Sequence, residues 1–114
     1  MGEGNWYDPD IERVVVTEEQ IRDKIDDLAA HAWSAAAQED GSLRVGDLTG
    51  LAEAVRTRVL HAWAGWLGVP GSALSHRHVV ALDALVMAWH GQGPVYLPGA
   101  ITVVRRDGML RRQP

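Results

Sequence analysis

Apolar residues recur at helical spacing in three stretches of the chain. The first stretch follows Thr17-Glu18-Glu19-Gln20, a capping-box pattern with a hydroxyl at the N-cap and a glutamine at the third helical position. The next apolar residues fall on one helical stripe: Ile21, Ile25, Leu28, Ala32 and Trp33. We therefore predict a first amphipathic helix that ends by Gly41.

The second and third helices are predicted from the same period. Residues 51–67 carry the stripe Val55, Val59, Leu60, Trp63, Trp66 and Leu67, and Gly68 and Pro70 end it. Ser75 is the predicted N-cap of a third helix that runs to about His90. Its predicted buried face consists of Val79, Leu82, Leu85, Val86 and Trp89.

The last twenty residues change to the period of a strand. Short strands are predicted at residues 95–97, 101–104 and 109–110, and Asp107-Gly108 between the last two is a strong hairpin signal. Residues 1–16 are predicted to be loose, with a possible short strand at residues 11–16. The expected fold is mainly α: a three-helix bundle-like core, a short N-terminal strand and a small C-terminal β-hairpin element, with residues 17–114 forming one domain.

The charge of the chain is unevenly distributed, and this bears on whether it could bind a nucleic acid. The net charge of the 114 residues is −4, which argues against nucleic-acid binding by the chain as a whole. Residues 1–40 hold eleven acidic and three basic residues, whereas residues 41–114 hold eight arginines and four acidic residues. The C-terminal part is therefore basic enough to contact a polyanion. The chain has no cysteine and no apolar run of membrane-spanning length, so we expect a cytoplasmic protein without disulfides or a membrane partner.

One stretch carries a family resemblance. The residues are Leu82-Asp83-Ala84-Leu85-Val86, then Trp89-His90-Gly91-Gln92-Gly93-Pro94-Val95, then Leu97-Pro98-Gly99, followed by the basic hairpin 105–110. Together with the arginine-bearing segment 54–63, they resemble the C-terminal recognition region of actinobacterial-type tRNA(Ile)-lysidine synthetases over about residues 26–112. Ala100 departs from this pattern, because the family usually has a second glycine there.

This resemblance implies a module that helps to position tRNA for a catalytic domain. The chain has no SGGxDS-type phosphate loop, so we expect a non-catalytic tRNA-binding module without a cofactor. Residues 7–28 separately resemble the opening of a bacterial hypoxanthine phosphoribosyltransferase, without that family's phosphoribosyl diphosphate loop. The two resemblances meet near residues 24–29, which suggests a fusion, a rearranged reading frame or a constructed chimera.

Arginines are the candidate RNA contacts, because guanidinium groups suit phosphate oxygens. The candidates are Arg56, Arg58, Arg77, Arg105, Arg106, Arg111 and Arg112. The last four flank the hairpin turn, and several of them could share one face if the strands pair. The alternative interpretation is a solvated basic tail that protects an edge strand.

For the other polar and aromatic residues, structural roles are favoured over functional ones. His76 and His78 are two positions apart and do not share a helical face, so we expect surface histidines and not a metal site. Ser75 is expected to cap a helix and not to act as a nucleophile. The tryptophans could stack on bases, but core packing is favoured, with Trp66 the best candidate for exposure. The competing function is a protein-interaction or inhibitor-like module, or a homodimer, with no RNA role.

Overall fold

The structure is a computed structural model, and it describes residues 17–114. Its elements, in chain order, are α1 (Glu18–Ala36), β1 (Leu43–Arg44), a 3-10 helix (Val45–Asp47), α2 (Glu53–Leu67), α3 (His76–Met87), β2 (Val95–Leu97), β3 (Ile101–Arg106) and β4 (Met109–Gln113). The predicted loose segment 1–16 and its short strand lie outside the described residues. No helix in the described part is long and apolar enough to cross a membrane.

The predicted capping box at the start of α1 is confirmed. The backbone N–H of Gln20 donates to Thr17 Oγ1 at 3.1 Å, and the backbone N–H of Thr17 donates to Gln20 Oε1 at 2.9 Å. These two bonds satisfy donors that the first turn of a helix otherwise leaves unpaired.

The predicted apolar stripe of α1 is wrong in its first half. Ile21 and Leu28 are exposed, whereas Ala29 and Ala36 are buried. Small side chains allow α1 to approach α2 closely, and none of the described elements covers Ile21 and Leu28. Helical period alone identifies an apolar face, but not the side that a neighbouring helix covers.

The C-terminal β element is larger than the predicted hairpin. The four strands form one antiparallel sheet in the order β1-β4-β3-β2. The additional strand is β1, in which Leu43 pairs with Leu110. Only two residues long, β1 carries no strand pattern that the sequence could reveal.

The helices cover one face of the sheet, and the core lies between them. Trp63 is fully buried, and its indole N–H donates to the carbonyl oxygen of Gly41 at 2.8 Å. Gly41 has a φ of +86°. The largest fully buried aliphatic side chains come from the helices, the sheet and the links between them: Leu43, Leu48, Leu60, Leu82, Leu85 and Leu110.

Helix α3 ends earlier than predicted, at Met87 instead of about His90. The side-chain amide of Gln92 donates to the carbonyl oxygens of Ala84 at 3.3 Å and Ala88 at 3.4 Å, which closes the helix end. Trp89 therefore lies beyond the helix and is 40% exposed, so its predicted place on the buried face is wrong. At the other end Ser75 is the N-cap, as predicted, with its backbone N–H donating to His78 Nδ1 at 3.0 Å.

Candidate functional site

The pleat of the hairpin separates the four arginines that flank its turn. In the register of β3 and β4, Arg105 pairs with Leu110, Val104 with Arg111, and Val103 with Arg112. Residues directly opposite each other in an antiparallel pair project from the same face, and successive residues alternate. Arg105 and Arg112 therefore share the face of the buried Val103 and Leu110, whereas Arg106 and Arg111 share the opposite face.

The two inner arginines contact the ends of helices. Arg105 Nη1 donates to the carbonyl oxygen of Leu85 at 2.8 Å, and its guanidinium lies 5.1 Å from the centroid of the Trp89 ring. Arg112 Nη1 donates to the carbonyl oxygen of Leu67 at 3.3 Å. Both carbonyls belong to the last turn of a helix, where the macrodipole favours a positive charge. Arg105 is half-buried and links the hairpin to α3, whereas Arg112 is exposed and makes a single bond to α2.

The opposite face of the sheet is not covered by the described helices. We name it the outer sheet face and define it by five residues: Arg44, Tyr96, Thr102, Arg106 and Arg111. Val104, Met109 and Gln113 project from the same face. Tyr96 lies opposite Thr102, and Arg44 and Arg106 both lie opposite Met109. From strand spacing and rise, the Cα atoms of Arg106 and Arg111 are about 8 Å apart and those of Tyr96 and Arg111 about 12 Å.

Two of the carboxylates near this face, Asp47 and Asp40, already have partners. Asp47 accepts a hydrogen bond from Arg44 Nη1 at 2.7 Å. Asp40 accepts from the backbone N–H of Ser42 at 3.0 Å and from Ser42 Oγ at 2.6 Å. The side-chain hydrogen bond from Ser42 contributes most to lowering the pKa of Asp40 below its ordinary value, its backbone hydrogen bond adds to this, and the positive charge of Arg111 contributes less.

Arg111 has a buried hydrogen-bond donor without a partner. It lines an open hollow of ≈ 490 Å³ together with Asp40, Ser42 and Met109. Its Nε is buried and has no hydrogen-bond partner among the described residues. A buried N–H group without an acceptor is unfavourable, so this nitrogen of Arg111 does not stabilise the fold.

The structure places Arg56 inside the protein and not on a binding surface. Arg56 is only 7% exposed; its Nε donates to Asp83 Oδ1 at 2.5 Å, its Nη2 to Asp83 Oδ2 at 3.3 Å and its Nη1 to the carbonyl oxygen of Leu51 at 3.0 Å. The hydrogen bond with Asp83 raises the pKa of Arg56. All three nitrogens face acceptors within the chain, so Arg56 is not available to a phosphate.

The two other helical arginines lie away from the outer sheet face. Arg58 is about half exposed, and its Nε donates to Asp26 Oδ1 of α1 at 2.7 Å. It lines a groove of ≈ 550 Å³ between the helices, together with His61 and His76. Arg77 is exposed at the start of α3, about 13 Å along the helix axis from the end that Arg105 contacts. The structure therefore does not gather the seven candidate arginines into one surface. No group of metal-binding side chains occurs among residues 17–114.

Three residues of the outer sheet face were missed by reasoning from the sequence: Arg44, Tyr96 and Thr102. Tyr96 stands between Val95 and Leu97, and the alternation of a strand separates its side chain from theirs. That signal was available in the sequence. Arg44 could not have been found, because its place depends on the pairing of β1 with β4.

A comparison with models of protein families identifies the family of this chain. A family model described as the TilS substrate binding domain matches residues 43–111, which is more than half of the chain. The chain belongs to the TilS substrate-binding domain family. The matched residues contain α2, α3 and all or most of each strand. They also include the five residues that define the outer sheet face.

Curated relatives of this TilS substrate-binding domain are named tRNA(Ile)-lysidine synthase. The protein from Salinispora arenicola is 56% identical over 86 residues, which cover 75% of this chain and 26% of the relative. The Salinispora tropica protein is 54% identical over the same shares, and the Thermobifida fusca protein is 42% identical over 79% of this chain and 29% of the relative. The chain spans little more than a quarter of the length of these relatives. No solved structure matches it significantly.

Proposed function

We propose that this TilS substrate-binding domain binds tRNA through its outer sheet face. The observation that supports the proposal is the division of the hairpin arginines by the pleat. Arg105 and Arg112 contact helix ends, whereas Arg106 and Arg111 make no hydrogen bond within the described part of the chain and project from a face that no described helix covers. Guanidinium groups so placed suit phosphate oxygens.

The proposed role is to position tRNA for a catalytic domain that residues 1–114 do not include. The named relatives are tRNA(Ile)-lysidine synthases, and the chain matches only their substrate-binding part. The sequence contains no SGGxDS-type loop for a nucleotide triphosphate. We therefore propose a non-catalytic, cytoplasmic module that recognises RNA by shape and phosphate contact.

Of the remaining candidates, only Arg77 is proposed as a further phosphate contact, separate from the outer sheet face. It is exposed and has no hydrogen bond to another described side chain. Arg58 is engaged with Asp26, although this exposed pair is weak and could be exchanged for a phosphate. Arg56 and Arg105 are assigned to the fold, and the exposed Arg112 is engaged with the carbonyl oxygen of Leu67.

Filter binding of bulk tRNA across a salt series tests the proposal. The double variant Arg106→Glu/Arg111→Glu should bind more weakly, and the slope of log K against log salt should fall by about 1.5, because two phosphate contacts are lost. The matched control is Arg22→Glu/Lys24→Glu, which changes the net charge equally but alters exposed residues of α1. Equal weakening by both double variants would show a general charge effect and would overturn the assignment to the outer sheet face.

A protein contact is the second candidate function. Ile21 and Leu28 are 48% and 43% exposed on α1, and a second copy of the chain could cover them. Light scattering of the wild-type protein and of Leu28→Ser tests this. A dimer that the substitution converts to a monomer would support the candidate, and a wild-type monomer would remove it.

The origin of residues 7–28 is a separate proposal. The family model begins at residue 43, although one lysidine synthase relative matches 90% of the chain and therefore extends into the segment that resembles a hypoxanthine phosphoribosyltransferase. We propose that this segment joins the recognition region within α1 and contributes nothing to RNA contact. Deletion of residues 1–16 should then leave tRNA affinity unchanged, and a lower affinity would contradict this.

A further inference from the structure

We propose that Tyr96 stacks on an unpaired base, so that the outer sheet face takes a single-stranded segment of RNA. This inference rests on the proposed function, because it needs an RNA on that face. It adds the kind of RNA that is bound and the residue that selects it.

Tyr96 is an aromatic side chain without a structural role in the core. It is 72% exposed, the largest exposure among the large apolar residues of the described part. Val95 and Leu97, its neighbours in β2, project toward the helices, and the residue directly opposite Tyr96 is Thr102. Thr102 is small, so it leaves the ring face of Tyr96 open.

The charges around Tyr96 fit an RNA strand better than a protein surface. Arg111 and Arg106 lie about 12 Å and 14 Å away by strand geometry, on the same face. Along the row that contains Tyr96, the next residues are Thr102 and Gln113, which are uncharged. An aromatic ring on the same face as two guanidiniums combines a stacking platform with phosphate contacts, the combination that proteins use to bind single-stranded nucleic acids.

Stacking distinguishes single-stranded from double-helical RNA. In a helix the faces of the bases are covered by neighbouring bases, and a protein reaches only edges, sugars and phosphates. Tyr96 can therefore contribute to a loop, bulge or free end, but not to a blunt duplex. Arg106 and Arg111 can contact phosphates in both.

The experiment compares two RNA probes with the full chain. One probe is a stem-loop with a seven-nucleotide loop, and the other is a blunt duplex of the same stem. Loss of one base stack should weaken stem-loop binding by about 5- to 150-fold in Tyr96→Ala. Duplex binding should change by less than about twofold, and Tyr96→Phe should bind both probes like wild type, because it keeps the ring. The salt slope should not change, since no charge is removed.

Two further variants keep the result interpretable. Tyr96→Leu keeps an apolar side chain in β2 but has no aromatic face, so it should lose stem-loop binding as Tyr96→Ala does, even if the alanine destabilises the edge strand. Val80→Ala removes apolar atoms from a residue of α3 that is 49% exposed and lies off the sheet, and it should leave both probes unaffected.

The outcomes separate this inference from the proposed function. Equal losses on stem-loop and duplex, or full binding by Tyr96→Leu, would overturn stacking. Phosphate binding by the sheet would still stand if Arg106→Glu/Arg111→Glu weakened both probes. Failure of the wild-type protein to bind either probe or tRNA would overturn the proposed function and this inference with it.

Discussion

The ion pair between Arg56 and Asp83 predicts a large loss of stability when one of the two partners is removed. Replacing Asp83 by alanine leaves the guanidinium of Arg56 buried without its carboxylate. Removal of one partner from a buried pair costs about 3–5 kcal/mol, and we expect the lower end because the side chain of Asp83 is 20% exposed. A domain of this size has a free energy of unfolding of about 5–15 kcal/mol, so Asp83→Ala should fold with little margin.

The chain contains a matched control for this substitution. Arg58 lies two residues after Arg56 on α2 and also donates to an aspartate of a neighbouring helix, but its side chain is 47% exposed and that of Asp26 is 45% exposed. Solvent and salt screen such a pair, and Asp26→Ala should cost less than about 1 kcal/mol. The two substitutions remove the same group and differ mainly in burial.

Urea unfolding followed by tryptophan fluorescence measures the difference. At a slope of about 1.5 kcal/mol per molar urea, Asp83→Ala should lower the midpoint by about 2 M and Asp26→Ala by less than about 0.7 M. The double variant Arg56→Met/Asp83→Leu should recover much of the loss, because apolar residues can replace a buried pair. It should also bind tRNA like wild type. Equal small shifts for the two aspartate variants would refute the burial of Arg56, and weaker tRNA binding by the double variant would return Arg56 to the interface.

Two further predictions concern the link that follows α1. In Gly41→Ala the new Cβ would lie 2.5 Å from the Trp66 ring, and the alanine would have a φ of +86°, so the free energy of unfolding should fall by about 2 kcal/mol. Gly46→Ala is the control and should change stability little, because no atom lies within 4 Å of its new Cβ. Equal urea midpoints for the two variants would contradict this. Ser42→Ala should raise the pKa of Asp40 toward its ordinary value, as read by a carboxyl NMR titration. Because the fold lowers this pKa, Asp40 contributes stability above its ordinary pKa and loses it as pH falls through the lowered one, and Ser42→Ala should reduce that acid sensitivity; an unchanged titration would show that Ser42 is not the cause.

Local signals in the sequence predicted the parts of the fold that depend on neighbours along the chain. Thr17 and Ser75 cap helices, and Asp107-Gly108 forms the turn of the hairpin. The same turn also determines which arginines share a face of the sheet. A two-residue turn pairs residue 106 with residue 109, and the pleat then separates Arg105 from Arg106.

Features that depend on distant residues could not be read in the same way. Arg56 and Asp83 are 27 positions apart, and each stands on an ordinary helical pattern. The exposure of Ile21 depends on what packs beside α1, which helical period does not specify. The sequence therefore offered candidate phosphate contacts on the hairpin and the helices without showing that the fold engages Arg56 and Arg105 internally.

The pairing of β1 with β4 has a consequence for synthesis of the chain. Leu43 meets Leu110 only after 67 further residues have been made, and the end of α2 receives its cation from Arg112. A nascent chain that has completed its three helices still lacks the strand that holds them to the sheet. Folding on the ribosome should therefore be complete only after β4 has left the exit tunnel.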